Sequence, residues 1–538
     1  MKKLNKKIFT LGMAAVGLTT LNSCIEETEP TSVATSTQIS QSSSATEALV
    51  MAQPAYFNHL WSDDRHYSFG YGAMMHIRDI FASDITKSTT SYNQWNYWLT
   101  NQYQGDGYIF GQFIWNYYYG FVLAANNVIG NIDPETATTE QLGYLGTGYA
   151  FRAFLYLDMA RMYEFLPNDG TSAINANGND VTGLTVPIVK AEMTQDEARN
   201  NPRAKREDMK IFIEEDLNKA EEYIVNLTNT NGKTLPDLAC VYGLKARLYM
   251  WVEDYAKAQE YARKAINTAN VGPMTQEQCL NTTTGFNVAD PWMWAAQQTT
   301  EDDVVQTGII NWVSHVSSES TFGYCGVGTG LYNVADVNFY NRISDTDFRK
   351  LEFKAPSGSP LANQVSYVNR AYATANYPDL AMVKFRPGSG DADDYMTGSS
   401  TAYPIMRVEE MYFIEAEAAA HQNDAQGQQL VNAFMSQYRD SKYNTAKTGK
   451  DLVEEIVFQK RVELVGEGQA FFDIKRLNYP VTRGYAGTNF VATARFNTTT
   501  RPAWMNIVMV RTEKNNNPAV DGWNNPDPSD VYRVWVGQ

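Results

Sequence analysis

Between Tyr92 and Trp98 the chain reads Tyr-Asn-Gln-Trp-Asn-Tyr-Trp, amides alternating with rings, and Asp84 lies shortly upstream. Flat rings offer a large contact area at little entropic cost, and polar groups beside them can pair with hydroxyls. Such a run suits a ligand with apolar faces and a polar rim, a sugar among others, with Asp84 and Asn96 as the polar groups at hand. Trp95, Tyr97 and Trp98 are the candidate platform. A second set of rings (Trp292, Trp294, Trp312, Tyr324 and Tyr332) lies in irregular sequence, and the Gly-rich stretch FGYCGVGTGLY is suited to showing Tyr324 to solvent. Arg78 is a further donor for a pair of hydroxyls. Each candidate also has a structural reading. Trp95 and Trp98 are three residues apart and would share the inner face of a helix. The rings of the second set fit a core, and Arg78 fits a salt bridge.

Catalytic and metal signatures are missing from the sequence. The five histidines, at 59, 66, 76, 315 and 421, form no close ligand spacing. No G-x-S-x-G elbow occurs. Gly232-Lys233-Thr234 resembles the end of a phosphate loop, but position 227 is Leu where that loop needs Gly, and a helical pattern precedes it. Asp391, Asp393 and Asp394 suggest a calcium loop, but its sixth and twelfth positions would be Met396 and Ala402. Paired carboxylates such as Asp63-Asp64 and Glu409-Glu410 do not define a glycosidase. Its acid and nucleophile must face each other across about 5 to 9.5 Å, which adjacency in sequence does not set. We therefore expect no catalytic residues, no metal and no cofactor.

Lys2, Lys3, Lys6 and Lys7 precede an uncharged, largely apolar stretch from Ile8 to Leu21. It is shorter than the about 20 residues needed to span a bilayer and fits a signal-peptide core. It ends Leu21-Asn22-Ser23-Cys24, which resembles the lipobox of bacterial lipoproteins. Residues 1–23 are thus expected to be a cleaved signal and Cys24 the lipidated N-terminus, held by acyl chains at about 0.8 kcal/mol per buried CH₂. The acidic run Glu26-Glu27-Thr28-Glu29 resembles a surface-export signal of Bacteroidetes lipoproteins. Residues 24–46 are rich in Ser and Thr and are expected to be a flexible tether.

The 538 residues carry 44 basic and 60 acidic side chains, a net charge of −16. That balance argues against nucleic acid as a partner, because phosphate recognition needs concentrated Lys and Arg. It argues equally against a polybasic membrane surface. Beyond Cys24 the cysteines are Cys240, Cys279 and Cys325, odd in number and widely spaced, so neither a disulfide framework nor a zinc site is expected.

From residue 47 onward, helical periodicity dominates: 112–130, 138–166 with Thr139 as its cap, 206–227, 236–252 and 255–268. The last two read ACVYGLKARLYMWVEDYAKAQEYARKAI. Ala246 and Tyr249 fall on one helix, Ala258, Ala262 and Ala265 on the next, and Asp254-Tyr255 make the turn. Small residues in that pattern let two helices approach closely, as in tetratricopeptide repeats. Residues 144–164 and 403–440 resemble further copies. Residues 270–400 are weakly periodic and too long for a structureless loop, so short helices, short strands and ordered loops are expected there.

Two C-terminal segments carry a family resemblance. Tyr403 to Ala418 (YPIMRVEEMYFIEAEA) and Leu452 to Arg476 (LVEEIVFQKRVELVGEGQAFFDIKR) resemble the P-x-x-R-x-A-E-x-Y-L-x-x-A-E-A and E-R-x-x-E-L-x-x-E-G-x-R-F-F-D-L-x-R signatures of the SusD/RagB family. Trp115 to Val128 resembles its W-x-x-x-Y-x-x-I-x-x-A-N helix, and Asp345 to Arg349 its D-x-R turn. Matches run from about residue 60 to 518. Gln469-Ala470 departs from the usual basic residue before Phe-Phe-Asp, and 508–518 follows the closing motif loosely. Read from the residues alone, the two segments are scaffold: Ile405, Val408, Met411, Tyr412 and Ile414 form an apolar face. Arg461, Glu463, Glu467, Asp473 and Arg476 are placed to form ion pairs pinning the last helix.

The resemblance implies a mainly α fold with tetratricopeptide-like helix pairs (112–268 and 403–476) and a loop-rich ligand region (270–400) in one domain, 47–538. It implies a lipoprotein of the cell outer membrane, facing outward, that binds oligosaccharides without catalysis and sits over a SusC-like TonB-dependent transporter. A peptide-binding member of the family and a surface glycosidase are the alternatives. In a starch-binding member, an aromatic pair after an Asp builds the platform, and by position this corresponds to Trp95, Tyr97 and Trp98 after Asp84.

Overall fold

The computed structural model describes residues 43–61, 65–90 and 94–537. The signal, Cys24, the acidic run and Tyr92 and Asn93 lie outside them. Helix α1 (Ser43–Tyr56) begins inside the stretch expected as tether, because its residues have a partner surface. Val50 is buried, and Thr46 is 1% exposed and accepts from Gln141 Nε2 at 3.4 Å. Helix α2 (Tyr71–Ala82) is buried along its whole length and leads into strand β1 (Ile85–Lys87), followed by the short α3 (Gln94–Leu99).

The long helices α4 (Ile109–Asn131) and α5 (Thr139–Tyr163) form the centre. Helix α5 starts on a capping box at Thr138, one residue before the expected cap. Its hydroxyl accepts from Gln141 N at 3.2 Å, and Gln141 Oε1 accepts from Thr138 N at 2.9 Å. From Leu145 to Tyr163 every α5 residue is buried, so this helix is wrapped on all sides. A Cβ on Gly146 would come within 2.7 Å of Ile224 Cα, and glycine lets α5 close on α6 (Arg206–Ile224).

Helices α7 (Leu238–Trp251) and α8 (Tyr255–Thr268) form the expected close pair. Asp254 caps α8 by accepting from Lys257 N at 3.2 Å. Ala246, Ala258, Ala262 and Ala265 are fully buried between the helices. Residues 270–400 hold short helical turns, strand β2 (Trp294–Gln297), the one-turn α9 (Trp312–Val316) and strand β3 (Asn333–Ala335). Strand β1 pairs antiparallel with β3.

The segment expected to open a third helix pair at 403 instead begins as strand β4 (Ala402–Met406), antiparallel to β2 with Tyr403 opposite Ala296. Pro404 cannot donate within a helix, whereas a short two-stranded ladder tolerates it. Helices α10 (Val408–Gln422) and α11 (Asp424–Tyr438) follow, then α12 (Gly449–Glu463) and α13 (Ala470–Arg476). Gly466 and Gly468 have φ of +79° and +68° and turn the chain between the last two helices. The architecture is therefore mainly α. Among the described residues no helix is long and apolar enough to cross a membrane, and Cys240, Cys279 and Cys325 are buried free thiols.

The signature residues of the C-terminal segments form buried ion pairs. Glu463 receives Arg439 (2.6 Å), Arg407 (3.1 Å) and Arg349 (3.2 Å). Glu467 receives Lys384 (2.7 Å) and Arg407 (3.0 Å), and Asp473 receives Lys460 (2.9 Å) and Arg476 (3.3 Å). These contacts tie α10, α12 and α13 to the loop-rich region.

Candidate functional site

After α3 the chain reads Thr100-Asn-Gln-Tyr-Gln-Gly-Asp-Gly-Tyr108, a turn composition with two rings in it. Asn101 and Tyr103 adopt left-handed φ of +57° and +59°. For a residue with a side chain that conformation costs roughly 1–2 kcal/mol and needs support from its surroundings. The support comes from the C-terminal segment. Asn101 Nδ2 donates to Pro528 O at 2.9 Å, Asp530 N donates to Asn101 O at 2.9 Å, and Gln104 N donates to Ser529 Oγ at 2.9 Å. Gln104 Nε2 closes the turn on Asn101 Oδ1 at 3.0 Å, and Gln102 N bonds Tyr97 O at 2.8 Å.

The clamped turn presents a ladder of tyrosines. The Tyr97 and Tyr103 rings meet edge to face with centroids 4.9 Å apart at 84°, and Tyr103 meets Tyr108 at 5.1 Å and 60°. Tyr97 is half-buried, whereas Tyr103 and Tyr108 are each 43% exposed. Polar groups border them. The Asp527 carboxylate lies against Gly105, the Arg511 guanidinium passes Gly107, and Asp106 O accepts Arg511 N at 2.9 Å. Asn96 and Gln102 are half-exposed on the Tyr97 side of the turn. Rings edged by carboxylate, guanidinium and amide groups can stack on a sugar face and bond its rim.

Behind the ladder lies a buried aromatic floor. Trp95 meets Trp98 edge to face at 5.1 Å and 90°, and Trp98 packs on Phe110 at 4.9 Å. Trp95 also contacts His76 at 4.8 Å and His315 at 5.5 Å. On the other side of Trp95, half-buried Tyr324 stacks on His315 (5.0 Å, 16°), which stacks on Phe69 (4.8 Å, 6°), and half-buried His66 sits 4.9 Å from Tyr324. Burial, with help from Arg65 and Lys87, pulls His66 down to about 4, so its imidazole is neutral at neutral pH. Among the described residues no group of three or more His, Cys, Asp or Glu side chains is arranged to hold a metal ion.

The expected sugar contacts divide accordingly. Tyr97, Asn96 and Tyr324 reach the surface. Trp95 and Trp98 are 0% and 1% exposed: their helical spacing puts both on the inner face, and neither offers a ring to a ligand. Trp312 is buried against Phe385 (4.8 Å) and Tyr403 (5.4 Å), and Tyr332 packs on Tyr377 in a second core. Trp292 and Trp294 are likewise core residues. Arg78 is fully buried and donates to Asp158 Oδ2 at 2.7 Å and to Tyr71 OH at 3.0 Å. Asp84 is 4% exposed and paired with Arg461. Tyr103 and Tyr108 were not among the expected residues. Their signal was turn chemistry around single rings rather than a dense aromatic run.

Residues 351–533 match the sequence profile of the SusD family. No curated protein matches the chain. Among solved structures it is similar to a SusD-like carbohydrate binding protein from Bacteroides vulgatus ATCC 8482, with TM-score 0.69, 22% identity, and 88% of this chain and 96% of that one covered. A SusD superfamily protein from Bacteroides thetaiotaomicron VPI-5482 aligns with TM-score 0.65 and 18% identity over 88% of this chain and 98% of that one. The surface glycan-binding protein A from Bacteroides uniformis aligns with TM-score 0.62 and 16% identity over 90% and 99%. At these identities the likeness is one of fold.

Proposed function

The chain belongs to the SusD/RagB family, and from that premise we propose that it is a cell-surface lipoprotein that captures oligosaccharides and passes them to a SusC-like TonB-dependent outer-membrane transporter. Lipidation at Cys24 would tether it to the outer membrane, facing outward. The observation that carries the binding role is the Tyr97–Tyr103–Tyr108 ladder. Its central ring is exposed on a left-handed residue, in a turn that the C-terminal segment holds through Asn101 and Gln104. Strain kept at an exposed aromatic residue makes sense where the ring has something to bind. Two of the structural neighbours bear names that state carbohydrate or glycan binding, which supports the same ligand class. The mechanism is capture without bond cleavage: rings stack, and Asn96, Asp527 and Arg511 bond hydroxyls.

Calorimetric titration of the full chain with plant, microbial and host oligosaccharides, with product analysis of each mixture, tests this reading. Saturable binding without new products is expected. Tyr103→Ala should weaken it about tenfold, on the order of one stacked ring, with melting temperature unchanged or raised. Cleaved products would point to a glycosidase. Silence toward sugars with saturable peptide binding would move the chain to the peptide-binding alternative.

A further inference from the structure

Helices α5, α6, α7, α10, α12 and α13 converge on a cavity of about 150 Å³. It has room for several waters, or for one small ion with part of its hydration. Its lining is cationic in a protein of net charge −16: seven Lys or Arg side chains against four carboxylates.

The pairing explains part of that excess. Glu410 takes Arg247 in a two-point bond, Nε to Oε1 at 2.8 Å and Nη2 to Oε2 at 2.6 Å. Glu164 accepts from Arg206 Nη1 and Trp251 Nε1, both at 2.9 Å. Asp473 is shared by Lys460 and Arg476. Arg161 uses Asp158, behind the wall, which Arg78 also uses. Arg476 has a second partner in Glu417, also behind the wall. Counting those outer groups on both sides, positive charge still exceeds negative.

Two cations are left over. Lys475 is 2% exposed, and its Nζ donates to Met162 O at 2.9 Å. It forms no ion pair among the described residues, and an ammonium carries three donors. Arg501 bonds Asn478 Oδ1 at 2.8 Å and forms no ion pair among the described residues; the carboxylates that act on it are Glu164, already paired with Arg206, and exposed Glu253. In addition, Arg247 Nη1 is buried and has no hydrogen-bond partner. Burial holds the Lys475 ammonium well below the ordinary lysine range. Glu164 favours the charge, while Arg501, Arg203 and Arg206 oppose it. An anion in the cavity would relieve that crowding.

We infer that this cavity is a binding site for a small oxyanion, a sulfate or phosphate group, held by Lys475 Nζ, Arg247 Nη1 and Arg501. Guanidinium and ammonium donors around one space match oxyanion oxygens through charge-assisted bonds. The site is built from scaffold helices and shares no residue with the tyrosine ladder, so it stands independently of the sugar reading.

The test is calorimetry of the full chain with sodium sulfate and with sodium phosphate, against sodium chloride at matched ionic strength. Saturable uptake of one oxyanion per chain is expected, with chloride inert. Lys475→Met and Arg501→Gln should each weaken it roughly tenfold or more, while Lys475→Arg stays close to the parent. Arg501 lies at the rim, so Arg501→Gln keeps the test decisive if Lys475→Met fails to fold. Competition by glucose 6-sulfate would show that the site accepts a sugar-borne ester, and sulfate binding without such competition would assign it to the free ion. No saturable heat above the chloride control, or equal affinity in the parent and Arg501→Gln, would overturn the proposal.

Discussion

Asp84 and Arg461 face each other across the junction between β1 and α12: Arg461 Nε donates to Asp84 Oδ2 at 3.0 Å, and Nη2 donates to Oδ1. The carboxylate is 6% exposed and the guanidinium 23%. A carboxylate so engaged has little left to offer a sugar. Asp84→Asn should therefore cost about 1–3 kcal/mol of stability, the cost of unpairing a charged bond at a partly buried site. Urea unfolding reads that loss, and calorimetry of the folded variant should return the parent's oligosaccharide affinity. A fall in affinity at full stability would return Asp84 to the ligand site.

Trp95 and Tyr103 should respond in opposite ways to truncation. Trp95 is the fully buried hub of the aromatic floor, whereas Tyr103 is the exposed central ring of the ladder. Trp95→Ala is expected to destabilise by about 3–5 kcal/mol, the range for large buried aromatics. The surviving folded fraction should keep its affinity. Thermal melts and calorimetric titration of the binding-competent fraction together separate the two effects. Trp95→Ala with normal stability and lost binding would show that the ring reaches a ligand after all.

How far the sequence reached depends on what each signal measures. Helical periodicity reports burial, and it placed α4 to α8 within a few residues, down to the alanine stripe between α7 and α8. It did not see β4, because Tyr403 to Met406 is apolar without interruption and a short apolar run fits strand or helix equally. The family motifs proved to be the ion-paired frame around Glu463 and Glu467, as their charge spacing implied, although Arg461 chose Asp84 over the partners near it in sequence. The site was less legible. A dense aromatic run signals rings in quantity, and dense rings at helical spacing build a core. Exposure arises where the backbone turns, and the turn that carries Tyr103 is tied through Asn101 and Gln104 to Pro528 and Ser529, more than 400 residues away.

Glu463 is the hinge of the C-terminal frame. Its burial would raise its pKa, but Arg439, Arg407 and Arg349 outweigh that and hold the carboxyl well below the usual range. The sign follows: the stabilisation is present above the ordinary carboxylate pKa and is lost as pH falls through the lower folded value. Glu463→Gln leaves three buried guanidinium groups short of their counter-charge. It should cost about 3–5 kcal/mol at pH 7, as breaking a buried ion pair does. Chemical unfolding checks it, and the gap to the parent should narrow on strong acidification. A variant as stable as the parent at pH 7 would mean that the network is replaceable.

The histidine cluster under Tyr324 sets a second pH dependence at milder acidity. His66 is held at about 4, and burial, aided by Lys87, holds His76 and His315 well below their usual value. Lys87 Nζ sits 2.9 Å from His76 Nε2 and 2.6 Å from Asn333 Oδ1, so His76 must stay neutral to accept its bond. These imidazoles have depressed folded values, so the unfolded chain binds more protons below about 6.5, its ordinary value. The cluster's contribution should be full above that pH and fall between about 6.5 and 4, while buried Glu352, its carboxyl pushed up to about 7 by burial, works the other way in both parent and variant. His76→Gln keeps an acceptor for Lys87 but removes one titrating group. Its melting temperature should decline less steeply with acid over that window, measured by circular dichroism at matched ionic strength. Parallel curves for parent and variant would show that His76 protonates freely in the folded protein.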